Sequence, residues 1–203
     1  MEALLAGYRR FRAKNWLQQR QRFEALADEG QRPQALVVGC VDSRADPAMI
    51  FDTVPGQMLT VRNVANLIPP YEPDVAHHGT SAALEFAVRV LNIPQIVVLG
   101  HGLCGGVRLL LEGSPQEAQD FVAPWMSIAA TARERALRCE RVEQRQQCAE
   151  QEVIKLSLAN LLTFPWIAER VASGSLSLHG AWFAIRSGAL LLLKPDGSFE
   201  PAA

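Results

Sequence analysis

The apolar positions of this chain change period along its length. Leu4, Tyr8 and Phe11, then Phe23 and Leu26, recur at helical spacing among Arg and Gln, which predicts amphipathic helices. Gly30 to Pro33 punctuates, and Ala35-Leu36-Val37-Val38-Gly39 is an unbroken apolar run of strand length. Met58-Leu59-Thr60-Val61 predicts a second strand after Pro55-Gly56, and Ile96-Val97-Val98-Leu99-Gly100 a third. Residues 67–78 hold Pro69, Pro70 and Pro73 and predict a loop. Thr80 or Ser81 is placed to cap a helix through Leu84, Val88 and Leu91 that stops before Pro94. Gly105 opens another helix, residues 121–163 keep a helical period, and Pro165 starts one more at its first turn. Residues 178–186, a Ser187-Gly188 turn and residues 189–194 return to strands.

Unbroken apolar strands alternating with helices predict an α/β fold. Its sheet is mostly parallel and flanked by helices on both faces, with an N-terminal helical arm and a C-terminal antiparallel edge strand. No repeat, low-complexity tract or linker interrupts it. The 203 residues therefore form a single domain over 1–203, with residues 1–30 as the arm.

Composition narrows the function. A chain 49% hydrophobic and 20% charged is globular, not disordered. Lys+Arg 20 against Asp+Glu 21 leaves a formal charge of −1, which gives no electrostatic footprint for nucleic acid. Residues 189–193, as long as any unbroken apolar run in the chain, are far short of the ~20 residues that span a membrane. The first residues lack an apolar core behind a basic start. The Arg-rich stretch 8–22 contains no Ser and keeps a helical period, so it is a docking helix of the mature protein and not a transit peptide. These features predict a cytoplasmic protein with reduced thiols, where grouped cysteines mean metal or catalysis more often than disulfides. Of the four cysteines, Cys139 and Cys148 fall in the helical segment and are expected to be dispensable free thiols.

The other two carry chemistry. The first strand runs into Gly39-Cys40-Val41-Asp42-Ser43-Arg44, and the third into Gly100-His101-Gly102-Leu103-Cys104-Gly105-Gly106. Loops leaving the carboxyl ends of parallel strands build sites. Cys40, His101 and Cys104 are donors that zinc prefers, and three protein ligands make an open, catalytic type of site. The competing reading is two buried core cysteines and a loop histidine; the occurrence of each motif after its own buried strand favours the metal. Asp42 and Arg44, two apart, are either an aimed carboxylate held by its partner or an ordinary ion pair in a turn.

At these residues the chain resembles the beta class of carbonic anhydrases, in its plant-like branch. Cys40-x-Asp42-Ser43-Arg44 and His101-x-x-Cys104-Gly105-Gly106 form that family's two-part signature. The likeness runs on through Val61-Arg62-Asn63-Val64-Ala65-Asn66, the stretch from Gly79 to Val88, and Asn160-Leu161-Leu162-Thr163-Phe164-Pro165. The resemblance implies a zinc lyase that reversibly hydrates carbon dioxide to bicarbonate and a proton through a zinc-bound hydroxide. One Zn2+ per chain would sit on Cys40, His101 and Cys104, with Asp42 a ligand only in a closed state and Asp42–Arg44 otherwise orienting the hydroxide. It implies substrate contacts from Gln31, Leu59, Val64, Phe86 and the Gly105 amide. Leu59 replaces a usual aromatic residue and Phe86 a usual tyrosine. It also implies a homodimer or higher homo-oligomer in which N-terminal helices embrace the neighbour. Two alternatives stand beside this: a carbonyl sulfide or carbon disulfide hydrolase on the same fold, and a non-catalytic zinc-binding protein.

Overall fold

The predicted runs become strands, and how they are connected decides where their ends meet. The structure is a computed structural model that describes residues 1–74 and 76–202. Helices α1 (Glu2–Ala13) and α2 (Asn15–Glu29) precede β1 (Ala35–Cys40), α3 (Pro47–Ile50) and β2 (Met58–Asn63). Helix α4 (Gly79–Glu85), prolonged by a π-helical turn over Phe86–Val90, leads to β3 (Gln95–His101) and α5 (Gly105–Glu112). Four more helices follow: α6 (Val122–Ser127), α7 (Ala130–Leu137), α8 (Arg145–Leu161) and α9 (Pro165–Ala172). The chain closes with β4 (Ser177–Ala184), β5 (Ala189–Leu193) and β6 (Phe199–Pro201). The sheet order is β2-β1-β3-β4-β5-β6, parallel from β2 to β4 and antiparallel at β5 and β6.

Strand β1 sends the chain to β2 on one side and pairs with β3 on the other, from Leu36 opposite Ile96 to Gly39 opposite Leu99. The carboxyl ends of β1 and β3 therefore lie side by side where the strand order reverses, the place where open α/β sheets build sites.

The period of two along the strands divides the core. Leu36, Val38, Ile96, Val98 and Trp182 face α4, α8 and α9, where Leu84, Ile154, Leu161, Phe164 and Ile167 bury against them. Val37, Leu99 and Ala181 point the other way, to a smaller cluster with Ile50 and Phe51 at α3. Sheet residues Met58, Val97, Phe183 and Leu190 stay only half-buried on that second face. The expectation of helices over both faces thus holds fully for one face within a single chain and only in part for the other.

The arm is built differently from the body. Neither α1 nor α2 buries a residue. They close on each other through a ring cluster in which Phe11 meets Phe23 at 6.4 Å and Trp16 meets Phe23 at 4.9 Å, with Arg12 over Trp16. Leu26 of α2 lies against Gly56, and Arg22 reaches the Pro55 carbonyl; these contacts tie the arm to the body. Leu4, Tyr8 and Leu17 remain exposed.

Four local expectations are corrected. Residues 121–163 divide into three helices, and the breaks at 128–129 and 138–144 carry no Gly or Pro to announce them. Helix α4 starts at Gly79 with no side-chain cap; the Thr80 hydroxyl instead accepts a hydrogen bond from Asn63 Nδ2. The C-terminal edge holds two antiparallel strands, since β6, at three residues, is too short to leave a periodic signal. Cys139 and Cys148 are joined in a disulfide and are not free thiols: the α7–α8 hairpin brings their Cα atoms to 6.7 Å, a proximity that linear spacing inside a helical segment does not reveal.

Candidate metal centre

Cys40 is the last residue of β1 and His101 the last of β3; Cys104 follows one tight turn later. All three are buried, and one ligand atom from each lies within 4.8 Å of the others. The two sulfurs are 3.8 Å apart. His101 Nδ1 lies 2.9 Å from the Gly102 carbonyl, which can only accept, so Nδ1 carries the proton and the Nε2 lone pair is left free. Nε2 is buried with no hydrogen-bond partner among the described residues. An orphaned imidazole nitrogen beside two sulfurs is the donor set of a tetrahedral zinc site with one open position. These residues fit the ion.

Without an ion the electrostatics divide the three donors: Cys40 is drawn toward its ligand form, Cys104 and His101 away from it. The Cys104 sulfur, aided by His101, holds the Cys40 thiol below its ordinary range against the opposing effect of burial, which favours a thiolate there. The same hydrogen bond, together with burial, pushes Cys104 up. At His101, burial opposes the charged form, but Cys40 and the Gly102 carbonyl outweigh it and raise the pKa.

Beside the sulfurs, Arg44 grips Asp42 in a bidentate pair, Nε to Oδ1 at 3.0 Å and Nη2 to Oδ2 at 2.7 Å, and its backbone N–H also donates to Oδ1. Arg44 thus holds the Asp42 carboxyl well below the ordinary carboxylate range. Asp42 Oδ2 lies 4.0 Å from His101 Nε2. Two further groups shape this turn. Arg62 of β2 donates to the carbonyls of Cys40 and Asp42 and to the Asp46 carboxylate. Asp46 in turn caps α3 through the N–H groups of Ala48 and Met49.

The turn from His101 to Cys104 is as firmly held. Leu103 sits at φ 59°, a left-handed conformation that a residue with a Cβ adopts only where its surroundings over-determine it. Gly102 N–H donates to the Phe183 carbonyl, and the Leu103 carbonyl accepts from Arg44. Gly106 has to be glycine: a Cβ there would lie 2.7 Å from Val64 Cγ1. From α8, the buried Glu150 accepts from the Cys104 N–H, from Gln146 Nε2 and from the Trp182 indole. Burial pushes the Glu150 carboxyl up against those three donors.

A cavity of about 720 Å³ is walled by Val41, Asn63, Val64, Phe121 and Trp125 among others; Val41 lies between Cys40 and Asp42 in the chain, but Cys40, Asp42, His101 and Cys104 are not themselves in its wall. The sequence-predicted pocket residues divide around it. Val64 lines it, and Gly105 opens α5 directly after Cys104. Gln31, Leu59 and Phe86 are not among its lining residues. Gln31 is exposed after the arm, Leu59 lies on β2 against the main core, and Phe86 is 48% exposed on the π-helical turn. Sequence reasoning missed Arg62, Gln146 and Glu150 as supports. Glu150 did leave a signal: it shares one helical face with Val153, Ile154, Ser157 and Leu161, all buried.

Comparison with known proteins matches this arrangement to one group. A family model described as carbonic anhydrase matches residues 35–190. Beta carbonic anhydrase 3 of Arabidopsis thaliana is 33% identical over 208 residues, covering 100% of this chain and 80% of that protein. Beta carbonic anhydrase 5, chloroplastic, of the same plant is 39% identical over 178 residues, covering 85% of this chain and 58% of its own length. Among solved structures, the beta-carbonic anhydrase CcaA superposes with a TM-score of 0.91 at 34% identity, covering 100% of this chain and 92% of that one. A tetrameric beta-carbonic anhydrase of Sordaria macrospora gives 0.82 at 28% identity, with 98% of both chains covered. With Cys40 and His101 ending neighbouring parallel strands, Cys104 one turn on, and its likeness along the whole length, the chain belongs to the beta-carbonic anhydrase family, a family of lyases.

Proposed function

We propose that this protein hydrates carbon dioxide reversibly to bicarbonate and a proton, with one zinc ion held by Cys40, His101 and Cys104. The observation that carries the reading is the unpartnered His101 Nε2, which faces two buried sulfurs beside a carboxylate already gripped by Arg44. Zinc in that place supplies the Lewis acidity that makes a nucleophile of water near neutral pH. Asp42 accepts the hydrogen of the attacking oxygen and turns its lone pair toward the substrate carbon, while Arg44 keeps the carboxylate off the metal. Val64 and the neighbouring apolar wall suit an uncharged linear substrate, and the Gly105 N–H is a donor for its oxygen.

The active unit in this reading is a homodimer or a larger homo-oligomer, with residues 1–203 as one domain and residues 1–30 as the arm laid on a neighbouring copy. An arm without buried residues and a sheet face half-covered within its own chain support it. Gln31 and Phe86, exposed and outside the cavity of their own chain, are then available to the site of the neighbour, whereas Leu59 packs against its own core. No helix among the described residues is long and apolar enough to cross a membrane. A cytoplasmic location is part of the proposal, but the Cys139–Cys148 disulfide removes the reduced-thiol argument for it.

The deciding experiment measures zinc content together with the rates of carbon dioxide hydration and carbonyl sulfide hydrolysis on the same purified protein. About one zinc per chain with rapid hydration is expected. Hydrolysis of the sulfide without hydration would move the substrate, and zinc without either activity would make the protein a metal-binding one.

A further inference from the structure

Among the described residues Glu150 is the one buried acid, at 2% exposure. A buried carboxylate is destabilising unless donors satisfy it. Three donors from three parts of the fold converge here: the Cys104 N–H at 3.0 Å, Gln146 Nε2 one helical turn earlier at 2.8 Å, and Trp182 Nε1 of β4 at 3.1 Å. Gln146 Nε2 also donates to the Cys104 carbonyl at 3.0 Å. Both polar groups of the Cys104 main chain are thus held from α8, by side chains four residues apart on one helical face. Trp182 completes the arrangement from below the turn, where its ring packs against Gly102.

This grip falls where the loop most needs it. Cys104 follows the left-handed Leu103, and its side chain makes no capping bond to α5; the α5 hold on its main chain is the Arg108 N–H, which donates to its carbonyl at 3.0 Å, while its own N–H goes to Glu150. We infer that Glu150 and Gln146 are positioning residues that set the Cys104 sulfur for the metal by clamping the N–H and carbonyl of its own main chain to α8. The inference rests on the reading of Cys40, His101 and Cys104 as a zinc site. Outer partners of metal ligands commonly govern affinity by about 10–100-fold.

The test compares Glu150→Met, which keeps bulk but removes both acceptor oxygens, with Glu150→Gln, which keeps one oxygen for the Cys104 N–H. Zinc affinity is measured by chelator competition, the cobalt-substituted proteins give visible spectra, and thermal unfolding is followed in parallel. Positioning predicts a zinc affinity about 10–100-fold weaker in Glu150→Met, with a shifted cobalt spectrum, and largely retained affinity in Glu150→Gln. It predicts this order even where the apolar Met variant melts at the higher temperature. Should Glu150→Met fail to fold, Gln146→Met, at a half-buried position, is expected to weaken zinc about threefold or more and to shift the cobalt spectrum in the same direction. Wild-type affinity and an unchanged spectrum in Glu150→Met, or in Gln146→Met if that one is used, overturn the inference. A wild-type protein that binds neither zinc nor cobalt overturns the reading of the site itself, and the inference with it.

Discussion

Arg44 Nη2 donates to the main-chain carbonyl of Leu103, 59 residues further on, at 3.1 Å, with the same nitrogen that holds Asp42 Oδ2. The guanidinium is therefore a bracket between the two loops of the centre, one carrying Cys40 and Asp42, the other His101 and Cys104. Lysine, with a single ammonium, cannot reproduce a bidentate grip and a third bond at once.

Arg44→Ala is accordingly expected to lower carbon dioxide hydration on the order of a hundredfold or more while zinc stays bound, because the freed Asp42 can turn to the metal. Adding Asp42→Ala reopens the metal but leaves the attacking oxygen unoriented, so the two losses should not add. Metal analysis and hydration rates of the single and double variants check this. An Arg44→Ala protein with zinc and near-normal turnover would leave Asp42 and Arg44 as a plain turn ion pair.

Cys104→Ser should remove most of the zinc and the activity together. Cys139→Ser should leave zinc per chain unchanged yet lower stability by about 2.5 kcal/mol, the loop-entropy value for so short a closed loop. Metal content and denaturant midpoints separate the two effects. Loss of zinc from Cys139→Ser would show that the disulfide supports the centre as well.

The pH behaviour follows from the sign of the Asp42 shift. Its folded pKa lies below the ordinary carboxyl value, so its contribution to stability is complete above about pH 4 and is lost as pH falls through the lower folded value. Wild type should thus lose melting temperature more steeply below pH 4 than Asp42→Asn. Hydration activity should rise through neutral pH, and since Asp42 is ionised throughout that range, Asp42→Asn should keep the midpoint of the rise at a lower plateau. A midpoint that moves with the substitution would assign the titration to Asp42.

The arm predicts assembly. Light scattering at micromolar concentration should give at least twice the chain mass. Leu4→Asp with Leu17→Asp, at positions 74% and 65% exposed, should yield monomers with reduced hydration but full zinc content. A wild-type monomer with full activity would remove the need for a neighbour.

The legible parts of the sequence were those whose physics is local or periodic. Strands β1 and β3 are buried along most of their length, which turns them into unbroken apolar runs, and each ends in a metal-binding residue type. Pro165 and Gly105 marked helix starts through their own backbone chemistry. The breaks among α6, α7 and α8 went unseen because packing makes them, not Gly or Pro. Arg62, Gln146 and Glu150 act on main-chain groups 20 to 46 residues away, and the choice of such partners is made only when the sheet and α8 come together. Gln31, Leu59 and Phe86 were legible by resemblance alone, and their own chain leaves them outside the cavity.

The side-by-side ends of β1 and β3 also couple the ion to folding. Cys40 and His101 are 61 positions apart, so in an unfolded chain they meet only rarely, whereas His101 and Cys104 stay close and can hold an ion loosely. An ion bound by all three donors is bound to the folded protein alone, and its binding free energy becomes folding free energy. Each tenfold rise in free zinc above the dissociation constant then adds about 1.4 kcal/mol to stability, so a chelator titration and a melting curve report one linked equilibrium.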